Sequence, residues 1–204
     1  MDQPQLPVLI IRTGVANIAS VAAGLSRAGG SPTFTTCADE VATAERVVLP
    51  GVGTFGASMQ TLAAHGLVEP LRERVSSGKP TLLVCVGFQV LFETSEESPG
   101  VKGLGILSGT VTRFPTGVRT PQFGWNDVDP EPSCRMLTAG FTYFANSFRA
   151  TAHDDGWAAA WSDNGGPFIA ALERGAVLAC QFHPELSGQY GIALLRRWLQ
   201  GEKR

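Results

Sequence analysis

Lys79-Pro-Thr-Leu-Leu-Val-Cys-Val-Gly-Phe-Gln-Val-Leu-Phe-Glu93 is the stretch on which both the fold and the chemistry of this 204-residue chain turn. Thr81 to Val84 is a β-favouring apolar run opened by Pro80, and it reads as a buried strand. Phe88, Leu91 and Phe92 then recur at helical spacing, which predicts a helix over Phe88 to Phe92. Cys85 stands between the two. A strand that turns into a helix on a cysteine puts the thiol at the helix N-terminus, where the dipole and unpaired amides favour a thiolate and offer donors to an oxyanion. A lone cysteine at the end of a core strand is more often only a packing residue. The rest of the chain decides between these readings.

Composition narrows the field first. The hydrophobic share is 44% and the charged share 17%, values of a globular protein with enough length for a full α/β core. A net charge of −2 gives no electrostatic reason to invoke nucleic acid or anionic lipid. Met1 to Pro7 lacks a basic n-region and Val8 to Ile11 is too short to span a membrane, so a cytoplasmic location is expected. Cys37, Cys85, Cys134 and Cys180 lie far apart with no C-x-x-C, which suggests neither a zinc site nor a redox dithiol.

Outward from Cys85, the N-terminal side alternates strands and helices. Val8 to Ile11, Thr33 to Thr36 and Arg46 to Leu49 read as strands; Ile18 to Ala28, Phe55 to His65 and Val68 to Ser77 read as helices. Short links between them argue for a parallel, doubly wound sheet. On the C-terminal side, Thr94 to Gly105 is polar and turn-rich and reads as a surface loop. From Thr110 to about Glu173 short alternating runs predict an antiparallel extension of that sheet. No repeat or linker marks a boundary, so residues 1–204 are expected to form a single α/β domain: a mostly parallel central sheet, helices on both faces, and an antiparallel extension.

Two further segments bear on Cys85. Pro50-Gly-Val-Gly53 follows a strand; such a loop is usually just a turn, but it can also present backbone N–H groups to an oxyanion. No Gly-Lys-Ser/Thr follows, so phosphate cradling is not indicated. His183-Pro-Glu185 sits past the strand Val177 to Phe182, and Pro184 holds His183 extended. A carboxylate two residues from an imidazole can fix its tautomer and stabilise the imidazolium. In a parallel sheet the carboxyl ends of strands share one edge, so Cys85, His183 and the glycine loop can meet there. His65 and His153 lie in polar contexts and are expected in solvent. Cysteine with histidine as base suits acyl transfer at an unreactive carbonyl through a thioester. The residues thus give a reaction class but leave peptidase and amidase both open.

The chain resembles the class I (triad-type) glutamine amidotransferases nearly end to end, and more narrowly is similar to the glutaminase subunits of imidazole glycerol phosphate synthase. The motifs that carry this are Leu49-Pro-Gly-Val-Gly-Thr-Phe-Gly56, Cys85 to Glu93, Gly124-Trp-Asn126, Tyr143-Phe144 with Ser147, and Gln181-Phe-His-Pro-Glu185 followed by Ser187-Gly188. The resemblance implies that Cys85 attacks the side-chain amide of L-glutamine, with His183 as base and then acid and Glu185 orienting it. It implies an oxyanion site at Gly51, Val52, Gly53 and Val86, and substrate contacts from Gln89, Ser147 and Phe148. No metal or organic cofactor is implied. The implied partner is a (β/α)8 cyclase subunit, in a heterodimer, which uses the ammonia to make imidazole glycerol phosphate and aminoimidazole carboxamide ribotide in histidine biosynthesis. In that family the glutaminase is weak until the partner is bound and liganded, which makes the oxyanion loop a switch; glycine, permitting both signs of φ, suits that role.

Several positions depart from the family pattern. Leu83 stands two residues before the cysteine where glycine is usual, and is expected to pack beneath the turn. Arg12-Thr13 replaces Asp-Tyr, and Val15-Ala16 replaces a segment normally closed by glycine. Gln122 and Asn146 stand where histidine is common, and Leu186 where lysine is common; these last three are expected near the subunit interface. Two alternatives therefore stay open at the level of sequence: another class I amidotransferase or cysteine hydrolase, and a regulatory paralogue that keeps the fold as an interaction module.

Overall fold

The structure, a computed structural model, describes residues 5–13, 18–51 and 53–201. The N-terminal part runs β1 (Leu6–Ile11), α1 (Ile18–Arg27), β2 (Gly30–Thr35), α2 (Ala38–Thr43), β3 (Val47–Leu49), α3 (Phe55–Ala64), α4 (Val68–Ser76) and β4 (Thr81–Val84). After Cys85 come α5 (Val86–Gln89), β5 (Phe92–Ser95), β6 (Leu107–Arg113), β7 (Gln122–Pro130), β8 (Gly140–Asn146) and β9 (Phe148–Arg149). The chain closes with β10 (Ala158–Asp163), β11 (Pro167–Arg174), β12 (Val177–Cys180), a 3-10 turn at Pro184–Leu186 and α6 (Gly188–Gln200).

The main sheet has the order β2-β1-β3-β4-β12-β11-β10-β7-β8. Pairing is parallel from β2 through β12 and antiparallel from β12 to β8. The sequence expectation of a parallel core with an antiparallel extension is therefore met. β3, β4 and β12 are buried along their whole length, which explains why they read as unbroken apolar runs. β7, at the far end, alternates instead and leaves one face open. Parallel crossovers are right-handed, so the leftward step from β1 to β2 and the rightward steps from β2 through β4 put their helices on opposite faces. The contacts agree: α1 packs with α6, and α4 packs with both α2 and α3.

Three local expectations are corrected. The helix predicted over Phe88 to Phe92 is a single turn, α5, and Phe92 already opens strand β5. Phe88, Leu91 and Phe92 are all essentially unexposed, so helical spacing carried no information about a polar face. The rings of Phe88 and Phe92 do meet, edge to face at 5.5 Å, but across the bend from helix to strand. Secondly, the polar stretch after Glu93 is not all loop, since β5, β6 and β9 form a second small sheet. Thirdly, α2 was not anticipated. It buries only Val41, too little apolar surface to show a period.

The lower ends of β3 and β4 are pinned by Arg74, which is 1% exposed. Its guanidinium donates to the carbonyls of Val41 (3.0 Å), Ala44 (2.7 Å), Glu45 (3.4 Å) and Pro80 (2.9 Å). α4 thereby ties the end of α2 to the entrances of both strands that carry the site. Replacing Arg74 with Met removes a donor from each of these carbonyls, though Pro80 O keeps Val47 N at 3.1 Å. Arg74→Met is expected to lower the unfolding free energy by about 3 kcal/mol, measured by urea denaturation.

Candidate active site

β3, β4 and β12 are neighbours and parallel, so the residues just past them share one edge of the sheet. Gly51, Cys85 and His183 are those residues. Cys85 has φ 53° and ψ −110°, and it is the one non-glycine residue with positive φ among the described residues. Such a conformation is costly for a side chain that carries a Cβ, and it persists where neighbours over-determine it. Here β4 passes into α5 with no spacer. The Cys85 amide donates to Cys180 O on the adjoining strand at 2.7 Å, and the Cys85 carbonyl accepts from Phe88 N and Gln89 N. The amides of Val86 and Gly87, first in α5, have no acceptor within the helix. Leu83, expected to pack beneath the turn, is wholly buried inside the sheet, in register with Leu49 on one side and the small Ala179 on the other. The strain of the turn falls on Cys85 itself.

The glycine loop lies directly against this turn. A Cβ on Gly51 would sit 1.9 Å from Val84 O and 2.3 Å from Val86 N, and one on Gly87 would sit 2.5 Å from Leu49 O. Both glycines are therefore required by backbone-to-backbone approach. Gly53 has φ 79°, and Thr54 follows as the cap of α3, accepting from Ala57 N. Val52, placed in the same loop by sequence, lies outside the described residues, as do Val15 and Ala16.

His183 is held extended and donates its backbone N–H to Tyr143 O at 2.9 Å. Its Nδ1 lies 2.9 Å from Glu185 Oε1, and its ring is within electrostatic reach of the Cys85 sulfur. Glu185 is buried, with Gly24 of α1 close against its Cβ position. Ser187 Oγ bridges the two segments, donating to His183 O at 2.7 Å and accepting from Tyr143 N at 3.0 Å. Burial pulls the imidazole pKa down, but hydrogen bonds and charge from Cys85 and Glu185 outweigh it and lift the value from 6.5 to about 10. The imidazole therefore rests as imidazolium at neutral pH, between a sulfur and a carboxylate. His65 is exposed as expected. His153 is not, being half-buried against the Trp161 ring with Nε2 3.9 Å from Glu131.

A cleft of about 340 Å³ opens over the sulfur, lined among others by Gly51, Gly53, Cys85, Val86, Gln89, Ser147, Phe148 and His183. Every described residue singled out from sequence thus lines this cleft, except Glu185, which stands behind His183. The cleft also contains two side chains that sequence reasoning gave no role here. Glu97 lines it while capping α3, accepting from Phe55 N at 2.7 Å. Asn146 is 4% exposed and lines the cleft, with Nδ2 donating to Phe148 O at 3.0 Å. Behind them Gln181 is fully buried and reaches the sulfur of Cys85. Glu97 sits in a run of polar residues that resembles an outer loop. Gln181 opens the Gln181-Phe-His-Pro-Glu185 motif, and its place two residues before His183 is the signal that could have marked it.

The family Glutamine amidotransferase class-I matches residues 31–200. The chain is 40% identical over 202 residues to imidazole glycerol phosphate synthase subunit HisH of Syntrophotalea carbinolica, covering 94% of this chain and 98% of that one. It is 36% identical over 199 residues to the chloroplastic imidazole glycerol phosphate synthase hisHF of Arabidopsis thaliana, covering 94% of this chain and 34% of that one. Among solved structures, a glutamine amidotransferase crystal structure superposes with a TM-score of 0.75 at 21% identity, covering 95% of this chain and 97% of that one. At that identity the superposition bears on the fold.

The raised value of His183 has a consequence for stability. A group whose folded value lies above its unfolded one contributes fully below the unfolded value and loses its contribution as pH climbs through the folded one. For His183 the window is 6.5 to about 10. Thermal melts across that window are expected to show a falling Tm, and His183→Gln is expected to flatten the slope.

Proposed function

Since the chain belongs to the class I glutamine amidotransferases, and within them to the imidazole glycerol phosphate synthase subunit HisH family, we propose that Cys85, His183 and Glu185 are the triad with which it hydrolyses L-glutamine. The observation that carries this is the unbroken line from sulfur to imidazole to carboxylate beneath one cleft. Cys85 attacks the side-chain amide carbon, and the developing oxyanion is met by the Val86 amide and the Gly51–Gly53 backbone. His183 gives its proton to the departing nitrogen, the carbon–nitrogen bond breaks, and ammonia leaves a glutamyl thioester. His183 then takes a proton from water, the water oxygen adds to the thioester, and glutamate leaves as the sulfur recovers its electron pair. Glu185 keeps the ring in the required tautomer throughout.

The polarity of the cleft suits an amino acid. Gln89 Nε2 is engaged by Phe148 O at 3.3 Å and by Gln181 Oε1 at 2.9 Å, so the side chain shows its oxygen to the cleft. That oxygen and the Glu97 carboxylate form a pair of acceptors for the substrate α-ammonium, with Ser147 and Phe148 closing around it.

The ammonia is passed to a (β/α)8 cyclase subunit, which makes imidazole glycerol phosphate and aminoimidazole carboxamide ribotide in histidine biosynthesis. In Arabidopsis thaliana the matching segment is about a third of one longer hisHF chain, which supports a standing association between the two activities. The docking face is the ribbon β7–β8. Phe123 (69% exposed), Trp125 (56%) and Phe141 (59%) are large apolar side chains in solvent, and their register partners Ala145, Tyr143 and Asp127 put them on one face. Leu186 adds to it at the end of the 3-10 turn, near Gly188, whose Cβ position is 3.6 Å from the Trp125 ring. Phe123 also lines the cleft, so a partner seated on this face covers its mouth. None of the four cysteines is in a disulfide, which suits a reducing compartment, and we place the chain in the cytoplasm.

Cys85→Ala is expected to abolish glutamine-dependent turnover of the assembled synthase while leaving turnover with ammonium salts intact. Glutamate release persisting in that variant would remove Cys85 from the role. For the docking face, Trp125→Ala is expected to weaken binding of the cyclase subunit by about thirtyfold in calorimetry, as loss of a central aromatic anchor does.

A further inference from the structure

We propose that the side-chain amide of Gln181 stabilises the Cys85 sulfur as a thiolate, and that Gln89 sets the direction in which that amide points. The inference rests on Cys85 being the nucleophile. Gln181 follows β12 and is fully buried; its Nε2 lies 3.8 Å from Cys85 Sγ and its Oε1 lies 2.9 Å from Gln89 Nε2.

An amide can be turned end for end, so its direction must be argued. The anchor is the Phe148 carbonyl, which can only accept. Gln89 must therefore turn its nitrogen toward Phe148 O, at 3.3 Å, and Asn146 Nδ2 reaches the same oxygen at 3.0 Å. The same nitrogen of Gln89 faces Gln181. Gln181 must then answer with its oxygen, and its N–H is left for the sulfur. Three amides and one carbonyl thus allow a single arrangement, in which a donor is aimed at Cys85.

Position explains why it arrives there. Gln181 and His183 stand on either side of Phe182 where the chain bends just past β12, and both reach toward the same sulfur. Phe182 between them projects the other way, into an edge-to-face cluster with Phe144 and Tyr190. The two donors differ in kind. The imidazolium surrenders its proton when ammonia departs, whereas an amide N–H keeps its proton through the whole cycle. Gln181 therefore still donates when the thioester breaks down and the sulfur must leave with its electrons.

The test uses the full chain without substrate or partner. Alkylation by iodoacetamide is followed at Cys85 and, as an internal standard, at the exposed Cys37, by mass spectrometry of the peptides from pH 6 to 10. In Gln181→Met the alkylation rate of Cys85 at pH 7 is expected to fall about tenfold and its pH profile to move up by about one unit, while Cys37 is unchanged. If Gln181→Met does not fold, Gln181→Glu keeps the shape and is expected to move the profile further in the same direction. A Cys85 profile in the folded variant that overlays the unmodified chain overturns the inference and leaves the nucleophile standing. Cys85 reacting no faster than Cys37 at pH 7 in the unmodified chain sinks the nucleophile and this inference with it.

Discussion

The site depends on one close approach of backbone to backbone. The end of β3 lies on the turn after β4 so tightly that neither Gly51 nor Gly87 has room for a methyl group. That contact brings the Gly51–Gly53 loop and the first amides of α5 to the same place, and it forces the chain to reverse direction on Cys85. Everything else in the site is placed relative to it. β12 supplies the acceptor for the Cys85 amide and then delivers Gln181 and His183 alongside, while α1 backs Glu185. Without side-chain-free positions on both sides, the sheet edge would stand open and the donors for an oxyanion would lie apart from the sulfur.

Much of this was written in the sequence because the relevant elements are short, buried and punctuated. Thr81 to Val84 ends on a cysteine and Val177 to Cys180 leads into a proline-locked histidine; parallel topology then requires that they meet. What sequence could not give was anything decided by packing from all sides. Phe88 to Phe92 reads as helical because Leu91 and Phe92 follow Phe88 by three and four residues. All are buried, however, and the backbone is free to become a strand. Glu97 looked like a solvated loop carboxylate, and became part of the cleft only because β5 and β6 bring it back over the start of α3. Asn146 shows the same limit, a polar residue that the β7–β8 ribbon turns inward to line the cleft.

The departures from the family pattern divide along this line. Leu83 is absorbed by the sheet, where Ala179 opposite leaves it room, and the turn above it is intact. Gln122 and Asn146 face each other across β7 and β8 and each retains a buried oxygen without a partner. Arg12 lies over the exposed ring of Phe34 at 5.1 Å, on the side of the sheet edge away from β12. The departures thus leave intact the sheet edge that carries Cys85, His183 and Glu185.

Arg74 has a meaning beyond the strength of its bonds. Its charge is held entirely by carbonyl oxygens, with no carboxylate among its partners. Burial pulls its pKa below the usual guanidinium range, yet the acceptors are dipoles that no change of pH can remove. The bottom of the sheet is therefore fastened by a clasp indifferent to acid and base, whereas the top carries an imidazole flanked by two groups that both exchange protons. Scaffold and chemistry respond to different variables. The strands that present Cys85 and His183 are anchored by something that does not titrate with the imidazole above them.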